Sequence, residues 1–116
     1  MPGRDAVRLE PQDLPLGTAD AIVLFEVGAA SLMSVTAKQK GAAWGTAVLT
    51  AKWANDKAGP FVAFASGEYS GSAATIGAGG GGISWLNVQG KGYLVVQVTT
   101  AEGAAEGAEI TAANDL

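Results

Sequence analysis

Apolar and polar side chains alternate with a period of two through most of this chain, the pattern of half-buried β-strands. In "SLMSVTAKQK" (31–40) Met33, Val35 and Ala37 fall on one face, and Ser34, Thr36 and Lys38 on the other. "TAVLTAKW" repeats this, with Ala47, Leu49, Ala51 and Trp53 opposing Val48, Thr50 and Lys52. "GYLVVQVTT" sets Leu94, Val96 and Val98 against Tyr93, Val95 and Gln97. "AIVLFEV", "PFVAFA" and "ISWLNV" are shorter stretches rich in β-branched and aromatic residues. Asn55, Asp56, Gly59 and Pro60 have the chemistry of a turn, so residues 50–65 are expected to form a β-hairpin. "AEGAAEGAEI" is cut by Gly103 and Gly107 and predicts a turn or short helical piece, then a last edge strand near "AEITAA". The glycine run within "GAGGGG" predicts a mobile tip or bulged loop.

Roughly seven short strands separated by turn signals predict an antiparallel β-sandwich, jelly-roll or Ig-like, over residues 21–116. Trp53, Trp85 and Phe64 are expected to fill its middle. Residues 1–20 differ. Pro2, Pro11 and Pro15 interrupt regular structure, and the apolar residues Val7, Leu9, Leu14 and Leu16 are too sparse for a core. The segment is expected to be an extended N-terminal arm, either a loose tail or one that becomes ordered on a partner.

Composition narrows the chemistry. The chain has 116 residues, enough for one domain with one modest core. Its net charge is −4 and its seven basic residues are scattered, which argues against direct binding of nucleic acid or of an anionic membrane surface. No apolar run has the length of a membrane span, and the N-terminus carries no apolar signal core. There is no cysteine and no histidine, so thiolate and imidazole chemistry are absent. No catalytic residue, metal ligand or cofactor is expected. Glu102, Glu106 and Glu109 read as a solvated acidic loop. Asp56 and Glu68 are the one carboxyl pair weighed for acid–base work, and surface solvation is the favoured reading of both. Trp53 shares a face with Leu49 and is expected in the core. Trp44, beside glycine at a corner, is a candidate contact residue.

Two segments, "SVTAKQKGAAWGTAVLTAKWANDKAGPFVAF" and "WLNVQGKGYLVVQVTTAEGAA", resemble small β-sandwich proteins of tailed-bacteriophage virions. The resemblance rests on Gly41, Trp44 and Gly45 at a corner, on Trp53, Asn55 and Asp56 at a turn, on Phe61, and on the strand from Gly92 to Gly103. It spans roughly residues 31–105 and departs at Lys57-Ala58-Gly59, where the turn is longer. It implies a non-enzymatic virion protein made in the host cytoplasm, foremost a decoration or cement protein on the outside of the head. The implied partners are the major capsid protein and copies of the chain itself, as in a homo-trimer. Val7, Leu9, Leu14, Leu16 and Trp44 would be the partner-binding residues, the leucines and valine by laying the arm across neighbouring subunits. A carbohydrate- or receptor-binding module of a fibre or tail, and a neck or tail component, are the alternatives.

Overall fold

A computed structural model describes residues 7–41 and 44–115. The strands are β1 (Val7–Arg8), β2 (Gln12–Leu14), β3 (Ile22–Glu26), β4 (Leu32–Lys40), β5 (Val48–Ala54), β6 (Val62–Ala63), β7 (Thr75–Ile76), β8 (Gly80–Asn87), β9 (Tyr93–Thr100) and β10 (Gly107–Asp115). No helix occurs among the described residues, and every strand pairing is antiparallel. The first sheet runs β1-β10-β4-β8, with β2 also on β10; the second runs β3-β9-β5-β6, with β7 also on β5.

The short strands β1 and β2 share one edge position, and β6 and β7 share another. The chain then occupies eight positions, ordered 1-8-3-6 in one sheet and 2-7-4-5 in the other. First pairs with last, second with seventh, third with sixth and fourth with fifth. This is one long antiparallel hairpin rolled up on itself, a jelly roll. The expected sandwich is therefore present, and of the two expected forms it is the jelly roll.

The alternation seen in the sequence selects the inner faces. Met33, Val35 and Ala37 of β4 face Leu94, Val96 and Val98 of β9 across the core, joined by Phe25, Leu49, Ile83, Leu86 and Ile110. Large and small residues match across the β4–β10 ladder, where Val35 lies opposite Ala112, and Ala37 opposite Ile110. Alanine thus lets neighbouring strands and facing sheets fill space without voids.

Three expectations need correction. First, the segment before residue 20 is not a free arm from β1 onward; residues 1–6 lie outside the described part. Val7 pairs with Asn114, Gln12 with Ile110, and Leu14 with Ala108. Leu9 donates its N–H to the Ala112 carbonyl at 2.8 Å. Leu14 and Leu16 are fully buried. Pro11 and Pro15 bracket β2 because it is an edge strand, the one place in a sheet where a missing N–H is tolerated. Second, β10 is not an edge strand but lies between β4 and the β1/β2 position. Its alanines made it look weak, since alanine has low strand preference although it packs well here. Third, the glycine run is the start of β8, with Gly80 opposite Lys38 and Gly82 opposite Thr36. A Cβ on Gly80 would strike the Ala37 carbonyl, and φ there is +97°. Glycine permits both the conformation and the approach.

Replacing Leu16 by Ala should lower stability by about 2–5 kcal/mol, the range for removing a buried leucine side chain. Chemical denaturation measures this. An arm free of the sandwich would give no change.

Candidate functional site

Of the expected partner-binding residues, Leu14, Leu16 and Trp44 are buried inside the domain. Leu9 is partly buried against the core. Val7 lies on β1 in the ladder with β10. The five do not form one accessible surface. Trp44 is held by its indole N–H to the Ala47 carbonyl at 2.7 Å and by its backbone N–H to Gln39 Oε1 at 3.2 Å. Its carbonyl accepts the Gly79 N–H at 2.9 Å. The tryptophan therefore pins the β4–β5 corner to the loop entering β8 and is a core anchor.

Trp53 lies on the inner side of β5, packed against the core. Lys91 Nζ sits 5.2 Å from its ring centroid and 5.7 Å from that of Phe64. The same ammonium lies 3.3 Å from Glu68 Oε2. This cation–π and ion-pair contact ties the β8–β9 loop to the region after β6. Glu68 is held below the ordinary carboxylate range mainly by the Ala65 N–H and then by Lys91. Asp56 accepts the Ala58 N–H at 2.9 Å within the turn. The recorded partners of Asp56 and Glu68 are thus local turn and loop groups, which leaves each carboxylate a structural part to play. Among the described residues no group of three or more His, Cys, Asp or Glu converges as metal ligands would. No helix of the described residues is long and apolar enough to cross a membrane.

Glu102 belongs to a stretch that read as a solvated loop, yet it has a specific task. Its Oε1 accepts the backbone N–H groups of Gly45, Thr46 and Ala47 at 2.8, 2.7 and 3.0 Å. Consecutive N–H groups converging on one oxygen form an anion-binding nest. Glu106, in the same loop, lies against Gly41, where φ is +65° and a Cβ would overlap its carboxylate. The loop before β10 therefore clamps the corner after β4. Of the turn or short helical piece expected there, the chain makes the turn, which lets Glu102 reach the corner. Nothing in the spacing marks Glu102 from its neighbours; only the fold brings it to the bare N–H groups.

The two outer faces differ. On the second sheet, Ile22, Leu24, Tyr93 and Val95 lie on the outward side of β3 and β9. Val95 is fully buried there between Leu24 and Lys52, its ladder partners. This sheet thus carries apolar side chains on both sides, and β3 ends it with no further strand among the described residues. The Leu24 carbonyl at that edge accepts the Gln12 side-chain amide. On the first sheet the outward side of β4 carries Ser34 and Thr36 at its middle, with Leu32 before them and Lys38 and Lys40 after them. A groove of about 550 Å³ is lined by Ser34, Thr36, Ser70, Thr75, Gly82 and Ser84, among others. Trp85, expected in the core, is 37% exposed, and Ser84 before it in the chain is one of the lining residues.

No protein-family model matches the chain, nor does any curated protein sequence. Among solved structures, the SPBc2 prophage-derived protein YomS is similar in fold. It matches with a TM-score of 0.60 at 10% identity, over 93% of this chain and 94% of that one.

The Glu102 clamp has a pH signature. Backbone N–H groups of Thr46 and Ala47 hold its carboxyl below the ordinary value of 4.5, and the Gly45 N–H adds to this against partial burial. A lowered folded pKa contributes stability that is present above the unfolded value and lost as pH falls through the folded one. Glu102→Gln should therefore be less stable than the parent at neutral pH. The gap should close on acidification below the carboxyl range, as read by thermal melts across pH. A constant gap at all pH would exclude a charged clamp.

Proposed function

We propose that the chain is a non-enzymatic structural protein of a bacteriophage virion, and that it decorates the outside of the head. The carrying observation is the full-length fold similarity to a prophage-derived protein in a chain of this size. Asp56, Glu68, Lys91 and Glu102 are engaged in local turn, loop and corner contacts. The sequence resemblance to small virion sandwiches points the same way.

In this reading the partner is the major capsid protein, with copies of the chain itself as neighbours on the shell. The contact is the outer side of β3 and β9 rather than an N-terminal arm, because Leu14 and Leu16 are already used by the core. Ile22, Leu24 and Tyr93 are half-buried there and present apolar surface beside a strand edge that no further described strand pairs with, its Leu24 carbonyl being taken by Gln12. Such an edge can accept a strand from a neighbour. A protein that binds only the assembled shell stabilises it by mass action. Repeated modest contacts add through avidity. The protein would be made in the host cytoplasm and end on the particle.

Particles from the encoding phage should carry the protein in many copies per head, counted by quantitative mass spectrometry. Particles lacking it should release DNA at lower temperature. Leu24→Glu should abolish rebinding to stripped particles while leaving the melting of the free protein within a few degrees. A ring-like low copy number would place it at the neck or tail instead. Equal stability of particles with and without it would remove the cementing role.

A further inference from the structure

The placement of Trp85 departs from simple strand alternation. In β8, Ile83 and Leu86 both face the core, and strict alternation between them would turn one of the two intervening residues inward. The ladder with β4 resolves this by a bulge: Met33 pairs with Leu86, and Val35 with Ile83, so Ser34 alone faces both Ser84 and Trp85. The extra residue keeps Ser84 and Trp85 on the outer side together. Bulges leave backbone groups unpaired, and here Ser70 Oγ takes the N–H of Ser84 at 3.0 Å and of Trp85 at 3.3 Å. The Ser70 N–H in turn donates to the Trp85 carbonyl at 3.0 Å. The indole is thus carried out of the core on a bulge that the neighbouring segment braces.

Ser84, which precedes Trp85 in the chain, and Ser70, which accepts its N–H, both line the hydroxylic groove. Ser34, Thr36, Ser70, Thr75 and Ser84 supply hydroxyls there, and none of its lining residues is charged. We infer that this groove binds a neutral oligosaccharide, with Trp85 as the platform for one ring and the serines and threonines exchanging hydrogen bonds with sugar hydroxyls. The flat indole face suits the C–H side of a sugar ring. Hydroxyl side chains both donate and accept, as sugar hydroxyls do. A charged ligand would meet no charged side chain among the residues that line the groove. A protein hot spot calls for an apolar, desolvated surround, which the outer side of β3 and β9 offers and this groove does not. The inference is independent of where on a particle the protein sits.

The test uses the purified full chain and three neutral probes, cellohexaose, N-acetylchitohexaose and laminarihexaose, followed by calorimetry and tryptophan fluorescence. At least one should bind. Trp85→Ala should weaken that binding by about tenfold, equivalent to about 1.4 kcal/mol. Trp85→Phe should restore most of it. Thr36→Lys should weaken it with Trp85 in place. Trp85 is only 37% exposed, so the melt of each variant is recorded beside its binding, and binding compared at a temperature where every variant is fully folded separates loss of binding from loss of fold. Absence of binding to all three probes overturns the inference. So does a Trp85→Ala variant that binds as the parent does, or one that binds no worse than Trp85→Phe. If no probe binds and Trp85→Ala instead fails to attach to particles, Trp85 is a protein contact and the saccharide site is excluded.

Discussion

The jelly roll depends on the last strand entering the middle of the first sheet. β10 pairs with β4 over its full length on one side and with β1 and β2 on the other. Ala108, Ile110 and Ala112 complete the inner face against β4. Without β10 the segment from Val7 to Leu14 would have no ladder partner, and Leu14 and Leu16 no core to enter. The first and last strands are thus fixed by the same contact. Such end-to-end pairing has a high sequence separation and closes late in folding by loop-closure arguments. The Glu102 clamp and the Trp44 anchor then hold the corner that this closure brings beside the loop before β10.

That constraint has a consequence for function. Because β1 and β2 belong to the sandwich, Leu14 and Leu16, which suggested a partner-seeking arm, are already taken up by the core. In the proposed reading, contacts with other molecules fall to the two outer faces. One carries the apolar side chains of β3 and β9; the other carries a hydroxyl-lined groove and the half-exposed Trp85. Their chemistries differ enough that one surface can hold the protein to an assembly while the other faces a different ligand.

The strands with clean alternation, β4, β5 and β9, were legible in the sequence, because burying one face of a strand imposes a period of two. The sandwich and the hairpin of residues 50–65 follow from them. What was not legible depends on who the neighbours are. Leu14 and Leu16 looked stranded among prolines, yet those prolines sit at the margins of an edge strand. β10 looked marginal because its inner residues are mostly alanine, which carries little hydrophobic signal but fits opposite Val35. Trp44 beside glycines looked exposed, and its burial follows from the loop that meets it from β8. Trp85 looked buried, and one extra residue in the β8 ladder reverses its side. Glu102 acquires its role only from N–H groups more than fifty residues away.

Amide hydrogen exchange of the free protein and of the same protein bound to particles tests the central claim most directly, since it reports strand pairing and docking together. The account predicts that the paired amides between Leu9 and Leu16 are already protected in the free protein, and that attachment adds protection along β3. Contradiction would be a free protein with Leu9–Leu16 unprotected and slow exchange there only on the particle, because the segment would then be an arm that folds on its partner.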